Sequence, residues 1–332
     1  MAPTISVLGA GSWGTALALQ AARNGCNTLL WGHNPQHISA LKHAQENQRY
    51  LAGHPFPANL TITDDIQQCA SFSPLLLLSV PSHAFKPTLK TIKPFLGEIP
   101  QIAWATKGFD NSEGALLSDI VLQVLGVNAL TAALSGPTFA KEVADGLPTA
   151  ITVASSSPEF AHSVASIFHN HRFRTYTSTD IIGVQVGGAC KNVLAIAAGI
   201  ADGLGFGANT RAALITRGLT EIIRLGTQLG GQPDTFMGMA GLGDLILTCT
   251  DNQSRNRRFG LALGQGKSRT EALAEINQSV EGISAAHEAY LLSNKLCVEM
   301  PITEQVYNVL FNQLSPIQAV QNLLTREQKP EI

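Results

Sequence analysis

The chain has 332 residues, a formal net charge of −2 and 14% charged residues, where about 25% is typical of soluble domains. At roughly 150 residues per domain, this length predicts about two domains with sizeable cores. The near-neutral charge gives no overall attraction to nucleic acid or to an anionic membrane surface, so neither is expected as a partner.

Cysteine usage and the N-terminus bear on location. The five cysteines form no C-x-x-C pair, which argues against a disulfide framework or a metal site and favours a reducing compartment. The N-terminus lacks the basic region of a secretory signal. No segment approaches the ~18 uninterrupted apolar residues of a membrane span. We therefore expect a cytoplasmic protein without integral membrane association.

A glycine motif follows the first apolar run of the chain. Ile5, Val7 and Leu8 precede the sequence GAGSWG, residues 9–14, and an Ala/Leu-rich helical pattern follows it. In a strand–turn–helix context, Gly9 permits the tight turn, Gly11 lets a pyrophosphate approach and Gly14 lets the helix pack on the strand. The first helical turn then offers N–H groups to the anion. The motif predicts a dinucleotide site, and a plain βα turn is the alternative.

The second predicted strand, residues 27–31, bears on the choice of cofactor. NAD-preferring sites of this type place a carboxylate near the end of this strand, ~20 residues after the glycines, where it binds the ribose 2′-OH. This chain has Gly32, His33 and Asn34 there. Because His33 can donate to a 2′-phosphate, the sequence favours NADP(H) and leaves NAD(H) possible. The alternative is that His33 is a solvated loop residue.

Strand-like and helical segments alternate up to about residue 178. Further strands are predicted at residues 75–80, 101–105, 129–134, 150–154 and 173–177. Polar turns follow three of them: Pro81-Ser82-His83, Thr106-Lys107-Gly108 and Ser135-Gly136-Pro137-Thr138. Ligands of open α/β sheets bind at such strand ends. We predict an α/β fold class, with a Rossmann-type, doubly wound dinucleotide-binding domain over residues 1–178.

The remaining chain shows helical patterns and no strand-like alternation. Helices are predicted at residues 180–201, 210–229, 241–247, 270–276, 284–296, 303–312 and 316–324, with a polar loop at 250–258. The polar residues 326–332 are expected to fray. This pattern predicts an all-helical C-terminal domain over residues 179–332.

Four polar groups stand in apolar surroundings: Lys107, Lys191-Asn192, Asp244 with Thr248 on the same helical face, and Arg255-Asn256. A buried ammonium needs a partner or a function. Each group has a structural alternative, such as a Lys191–Asp244 pair that only braces helices. Together they suit the reduction of a carbonyl on a small anionic substrate, with a lysine as proton donor and an arginine at the anion.

The chain resembles the bacterial NAD(P)-dependent sn-glycerol-3-phosphate dehydrogenases nearly end to end. The resemblance rests on motifs in the right order: GAGSWGTALA (9–18), WATKG (104–108), SGPTFAKE (135–142), GVQVGGACKNVLAIAAGI (183–200), GFGANTRAALITRG (205–218), GLGDLILTCT (241–250), SRNRRFG (254–260), VEG (280–282) and EMPIT (299–303). It implies hydride transfer between nicotinamide C4 and C2 of dihydroxyacetone phosphate, giving glycerol 3-phosphate for phospholipid synthesis. It also implies that the helical domain, residues 179–332, binds the substrate and forms the contact of a homodimer.

The resemblance also implies roles for individual residues. The catalytic set is Lys191 as proton donor and acceptor, with Lys107 and Asp244 as its neighbours. The substrate set is Lys107, Gly136, Thr138, Lys191, Asn192, Asp244, Ser254, Arg255 and Asn256, the last two at the phosphate. The cofactor set is Gly9, Gly11, Ser12, Trp13, Gly14, His33, Lys107, Ala140, Arg255, Val280 and Glu281.

Two other functions are weighed against this one. A related two-domain dehydrogenase for a 3-hydroxy acid or a sugar acid also carries a lysine and an asparagine on its first C-terminal helix. The Ser254-Arg255-Asn256 stretch and the 241–250 segment before it favour the glycerol-3-phosphate family instead. A non-catalytic NADP-binding protein would be expected to have lost the reacting lysine, whereas Lys191 is present.

Overall fold

The structure is a computed structural model that describes residues 2–111 and 114–328. The chain divides into two compact units, Met1–Gln185 and Val186–Ile332. This division falls inside one long helix, Ile181–Gly203. The sequence-based boundary after residue 178 stays a prediction, and of the predicted frayed end only residues 326–328 are described.

The first unit alternates strands and helices. Its strands are β1 (Thr4–Leu8), β2 (Asn27–Trp31), β3 (Glu46–Asn47), β4 (Leu51–Pro55), β5 (Leu60–Thr63), β6 (Leu75–Leu78), β7 (Gln101–Trp104), β8 (Leu130–Ser135), β9 (Thr149–Ala154) and β10 (Phe173–Ser178). Its helices are α1 (Ser12–Arg23), α2 (Pro35–Ala44), α3 (Ile66–Phe72), α4 (Ser82–Ile92), α5 (Leu117–Leu125), α6 (Ala140–Ala144) and α7 (Pro158–Phe168), with a 3₁₀ turn at Lys93–Phe95.

Eight of these strands form one sheet in the order β10-β9-β8-β7-β6-β1-β2-β5. Neighbouring strands run parallel except for β8 and β9, which are antiparallel. From β1 the chain moves outward to β2 and β5, then returns to β6 on the other side of β1 and continues outward. The order therefore reverses between β1 and β6, which confirms the doubly wound sheet and identifies its ligand-binding edge.

The sheet core explains why the strands could be recognised from apolar runs. Ile5, Val7 and Leu8 of β1 are fully buried, and all four leucines of β6 are buried as well. A parallel strand with helices over both faces is apolar on both sides. Helix α1 adds a nearly continuous series of buried alanines and leucines.

The short strands β3, β4 and β5 were not expected from the sequence. β3 and β4 form a separate antiparallel pair with a register shift at Glu46 and Asn47. β3 has two residues, and β4 contains Gly53 and Pro55. Glycine and proline are weak strand formers, so propensity gives no signal there.

Every regular element that the structure describes from residue 186 onward is helical, as predicted. The helices are α8 (Ile181–Gly203), which spans the division, then α9 (Ala208–Gln228), α10 (Pro233–Phe236), α11 (Asp244–Thr250), α12 (Arg255–Gly264), α13 (Arg269–Ile276), α14 (Glu281–Lys295), α15 (Pro301–Phe311) and α16 (Pro316–Leu324). A π-helical turn, Met239–Gly243, precedes α11.

Two predictions in this unit are wrong in detail. The polar loop expected at 250–258 ends at Ser254, because α12 begins at Arg255 with the Ser254 hydroxyl as its N-terminal cap. The helix expected from Gly241 begins as an α-helix only at Asp244, after the π-helical turn. The charged RNRR sequence at the start of α12 concealed its helical periodicity.

Helix α8 is long and apolar enough to cross a membrane by length and composition alone. However, 89% of its most apolar window is buried within the structure. Lys191 and Asn192 also interrupt the apolar sequence. We therefore interpret α8 as a core helix.

Candidate active site

The glycine loop connects β1 to α1 at the edge where the strand order reverses. Gly9 has φ +125°, and a Cβ atom there would lie 2.5 Å from the carbonyl oxygen of Ser79, just after β6. A Cβ atom on Gly14 would lie 1.9 Å from the carbonyl oxygen of Gly9. Neither position can accept a side chain without moving the backbone. The two glycines thus bring the start of α1 close to β1 and β6.

The loop has the properties of an anion site. A Cβ atom on Gly11 would meet nothing within 4 Å, so a ligand can approach the backbone there. No side chain caps the N-terminus of α1, and its first turn contains no acid. The buried Nε1 of Trp13 has no hydrogen-bond partner among the residues that the structure describes. The N–H groups and dipole of α1 therefore fit the pyrophosphate of a dinucleotide.

The turns after β7 and β8 meet through one carbonyl group. The Lys107 Nζ and the Thr138 Oγ1 both donate to the Gly136 oxygen, each over 3.0 Å. Ala140 begins α6 immediately after this turn. The two turns that the sequence singled out thus lie side by side and hold an ammonium group at the sheet edge.

A buried lysine–carboxylate pair lies in the second unit. The Nζ of Lys191, on α8, is 2.5 Å from the Oδ1 of Asp244 and 2.9 Å from the Oγ1 of Thr248, both on α11. The side chains of Lys191 and Asp244 are 8% and 1% exposed. Thr248 also donates to the Asp244 backbone oxygen over 2.6 Å, which fixes its hydroxyl. A buried ammonium is stable only with such partners.

A chain of amides lies next to this pair. Asn256, on α12, donates from Nδ2 to the Oδ1 of Asn192, the residue after Lys191, over 2.9 Å. Its own Oδ1 accepts from the backbone N–H of Gly282, also over 2.9 Å. These bonds assign the orientation of both amides and connect α8 and α12 to the start of α14, where Val280 is the N-cap residue and Glu281 the first helical residue.

The segment Ser254–Asn256 is held by the next residue, Arg257. The buried guanidinium of Arg257 donates to the Cys249 oxygen over 3.1 Å, to the Asn252 side chain and to Asp202, at the end of α8. Arg211 of α9 bonds both oxygens of the same aspartate. These charged hydrogen bonds fix the start of α12, where Arg255 is half-buried.

Cys249, which lies beside this cluster, is not suited to nucleophilic chemistry. Burial raises the pKa of Cys249 to about 12, although the positive charges of Lys191 and Arg257 act to lower it. Because the thiolate is the reactive form, this thiol is inert near neutral pH. Lysine, carboxylate and amide groups are therefore the chemically useful groups of the second unit.

Comparisons with known proteins agree with this geometry. The C-terminal model of NAD-dependent glycerol-3-phosphate dehydrogenase matches residues 180–321, and the N-terminal model matches residues 4–161. The chain belongs to the NAD-dependent glycerol-3-phosphate dehydrogenase family.

Full-length relatives are similar to the chain. A protein named glycerol-3-phosphate dehydrogenase [NAD(P)+] from Colwellia psychrerythraea is 56% identical over 100% of this chain and 99% of its own. One of the same name from Aeromonas salmonicida is 56% identical over 98% of both chains. The crystal structure of the Coxiella burnetii glycerol-3-phosphate dehydrogenase matches with a TM-score of 0.95 at 46% identity, covering 98% of this chain and 99% of that one.

The structure divides the predicted site residues between the two units. The first unit contains Gly9, Gly11, Ser12, Trp13, Gly14, His33, Lys107, Gly136, Thr138 and Ala140. The second contains Lys191, Asn192, Asp244, Ser254, Arg255, Asn256, Val280 and Glu281. Within the second unit, the predicted Lys191, Asn192, Asp244 and Asn256 lie in one polar cluster. His33 is exposed after β2 and forms no hydrogen bond or salt bridge with the other predicted residues in the described part of the chain.

Sequence reasoning did not single out several residues that the structure places beside these groups. Gly282 and Arg257 orient the start of α12, and both occur in motifs that the resemblance covered. His37 lies within electrostatic range of both His33 and Arg49. A Cβ atom on Gly282 would lie 2.7 Å from the Asn256 Oδ1, so the close approach of Asn256 requires glycine at this position.

Proposed function

We propose that the chain reduces dihydroxyacetone phosphate to sn-glycerol 3-phosphate with NADPH or NADH, and catalyses the reverse reaction. The observation that carries this proposal is the buried Lys191 ammonium, hydrogen-bonded to Asp244 and Thr248 in a chain of the glycerol-3-phosphate dehydrogenase family. Reduction of a carbonyl requires a hydride at carbon and a proton at oxygen. Lys191 is the group suited to give the proton.

The first unit supplies the residues that would hold the cofactor. The N–H groups at the start of α1, beside Gly11, would bind the pyrophosphate, and His33 would lie at the ribose 2′ position. When bound, the reduced cofactor supplies the hydride. We assign Lys107 and Ala140 in this unit, and Arg255, Val280 and Glu281 in the other, to further cofactor contacts.

The second unit supplies the acid. As negative charge develops on the oxygen at C2, the Lys191 Nζ transfers a proton to it and becomes a neutral amine, which water then reprotonates. Asp244 and Thr248 keep the Nζ in place, so little reorganisation is needed in the transition state. Arg255 and Asn256 bind the phosphate, with Ser254 as the helix cap beside them. Gly136 and Thr138 are assigned to the substrate pocket.

An assay of the purified chain tests this proposal. Dihydroxyacetone phosphate is supplied with NADPH and with NADH in parallel, and oxidation of the cofactor is followed together with formation of glycerol 3-phosphate. We expect turnover with both cofactors and a higher kcat/KM with NADPH. Turnover of a 3-hydroxy or sugar acid, without turnover of dihydroxyacetone phosphate, would identify the related dehydrogenase class. Cofactor binding without any turnover would identify a non-catalytic protein.

The proposal also includes the oligomeric state and the cellular role. The chain forms a homodimer through the helical unit, lies in the cytoplasm and supplies glycerol 3-phosphate to phospholipid synthesis. The five cysteines, all free, support a reducing compartment. Exposed apolar side chains of the helical unit, such as Met237, Ile246 and Leu291, support a protein contact. Light scattering of the purified chain measures the oligomeric state, and a monomer at micromolar concentration would contradict the dimer.

A further inference from the structure

A second basic side chain lies close to His33 in the first unit. His37, in the first turn of α2, is held in place by two contacts: its backbone N–H donates to the Asn34 Oδ1 over 3.0 Å, and its Nε2 is 3.2 Å from the carbonyl oxygen of Ala10 in the glycine loop. His37 therefore connects the end of β2 to the proposed pyrophosphate site.

Arg49 reaches this region from the segment between β3 and β4. Its guanidinium carbon lies 5.1 Å from the centroid of the Tyr50 ring, and that ring meets the His37 ring edge-on at 5.1 Å between centroids. The buried Asn47 amide anchors the same segment, because it donates to the Ala10 oxygen over 3.1 Å and to the Thr15 Oγ1 over 2.8 Å. The position of Arg49 relative to the glycine loop is thus fixed by its neighbours.

Basic side chains are concentrated in this region, and the Arg49 guanidinium forms no salt bridge among the described residues. Burial lowers the pKa of His37, and the charges of Arg49 and His33 lower it further, against the raising effect of the Ala10 oxygen. Arg49 and His33 therefore each lie within electrostatic range of His37. Across residues 2–111 and 114–328, neither Arg49 nor His33 forms a salt bridge. A bound anion would relieve this repulsion.

An open cavity borders the cluster. It has a volume of about 360 Å³ and lies between α2 and the start of the β3–β4 segment, with Asn34, His37 and Arg49 among its lining residues. Glu46 also lines it, and the Oε2 of this carboxylate accepts from the backbone N–H of Gly53 over 3.2 Å. The cavity thus offers space for a polar group beside an exposed guanidinium.

We propose that Arg49, together with His33, binds the 2′-phosphate of NADP(H), and that Arg49 sets the preference for NADPH over NADH. This inference rests on the proposed function, because it assumes that a dinucleotide binds at the glycine loop. In such sheets the ribose 2′ position lies near the end of the second strand, where an arginine accommodates a 2′-phosphate. A guanidinium binds a phosphate dianion through charge-assisted hydrogen bonds.

Calorimetry without substrate tests the role of Arg49. The ligands are adenosine 2′,5′-bisphosphate and adenosine 5′-monophosphate, which differ only in the 2′-phosphate. We expect Arg49→Ala to raise the Kd for the bisphosphate about tenfold or more, as the loss of a charged hydrogen bond implies, and to change the Kd for the monophosphate less than twofold. Arg49→Lys should keep part of the affinity, because it keeps the charge.

The matched control is Arg174→Ala. Arg174 is an exposed arginine on β10, at the edge of the sheet opposite to β2 and β5, so this variant makes the same change of charge elsewhere. We expect no change in either Kd. His33→Ala should raise the Kd for the bisphosphate and leave the Kd for the monophosphate unchanged, as we expect for Arg49→Ala.

Two outcomes would overturn the inference. If Arg49→Ala raises the Kd for both ligands equally, Arg49 supports the adenine or the Tyr50 ring and not the 2′-phosphate. If neither Kd changes, Arg49 is not part of the site. The proposed function is judged separately by turnover. A protein that binds the bisphosphate through Arg49 and reduces no dihydroxyacetone phosphate would support this inference and refute the proposed function.

Discussion

Lys191 and Asp244 illustrate how a buried ion pair can serve either chemistry or packing. Removing one partner of such a pair leaves a buried charge, which typically costs about 3–5 kcal/mol of stability. Substitution of the lysine therefore destabilises the protein whether its role is catalytic or structural. Only if the lysine is catalytic does its substitution also abolish turnover in the fraction of the protein that remains folded.

We expect Lys191→Met to lower kcat by several orders of magnitude, because methionine has no proton to give to the substrate oxygen in place of the Lys191 ammonium that is hydrogen-bonded to Asp244. Methionine keeps the apolar stem, and the Kd for NADPH, measured by calorimetry, should stay within a few-fold. Lys295→Ala, which removes an exposed lysine at the end of α14, is the control. If kcat falls only in proportion to the folded fraction, the pair is a brace between helices.

Arg255 has a matched neighbour in the same helix. We expect Arg255→Ala to raise the KM for dihydroxyacetone phosphate roughly 10- to 100-fold, since a hydrogen bond to a charged group is worth about 1.5–3 kcal/mol. Arg258→Ala removes an exposed arginine three residues later, in the same helix α12, and should leave KM unchanged. Steady-state kinetics measures both variants. Equal effects would place the substrate phosphate elsewhere.

Residues that stand out chemically in the sequence could be predicted, and residues that act through the backbone could not. Lys191 interrupts an apolar helix, so its burial and need for a partner follow from its surroundings. Gly282 contributes only an N–H group to Asn256, and a backbone donor carries no sign in the sequence. Arg49 is one of several polar residues in an irregular segment, and only the folded chain brings it near His37.

At the scale of elements, two helices of the second unit approach with almost no side chains between them. A Cβ atom on Gly199 or Gly203 of α8 would lie 2.1 Å and 2.4 Å from backbone oxygens of α12, and one on Gly260 of α12 would lie 2.1 Å from the Ile196 oxygen of α8. This contact sets the distance between the helices that carry Lys191 and Asn256.

We expect Gly260→Ala to destabilise the protein by about 2 kcal/mol or more, because the added methyl group must separate two backbones. The same shift should weaken the Asn192–Asn256 contact and raise the substrate KM. Gly207→Ala is the control, since a Cβ atom at Gly207 meets nothing within 4 Å. Chemical denaturation measures both variants. A Gly260→Ala protein as stable as wild type would show that the two helices adjust freely.

Helices and strands could be predicted from the sequence where their apolar residues recur with a single regular period. β2 and α16 begin and end at the predicted residues because their apolar patterns are regular. The charged sequence of residues 255–258, the start of α12, predicts a loop. Its helical start depends on the Ser254 cap and on contacts of Arg257 with residues distant in sequence. Such tertiary contacts override local pattern.

At the scale of the whole molecule, the buried carboxylate of Glu221 makes stability depend on pH. Glu221, on α9, accepts hydrogen bonds from the backbone N–H groups of Ile302 and Thr303 at the start of α15, and from the Thr303 hydroxyl. Burial raises the pKa of Glu221 from its ordinary 4.5 to about 7, although these hydrogen bonds act to lower it. The folded state therefore favours the protonated form.

This raised pKa predicts a direction for the effect of pH. The folded state binds more protons than the unfolded state between pH 4.5 and about 7, so Glu221 makes unfolding easier as pH rises through that range. Relative to Glu221→Gln, which does not titrate, the wild type should lose up to about 3 kcal/mol across it. Denaturant titrations at several pH values measure this difference. A gain of relative stability would mean that the hydrogen bonds outweigh burial.

The π-helical turn before α11 has a consequence for evolution. Gly243 donates its backbone N–H to the Gly238 oxygen over 3.1 Å, five residues back, where an α-helix spans four. One residue more or less rotates the side chains that follow by about 100° around the helix axis. The direction in which the Asp244 side chain points therefore depends on the number of residues in the π-helical turn that precedes it. We expect natural variation at 239–243 to consist of substitutions, with insertions and deletions excluded by selection for the reaction.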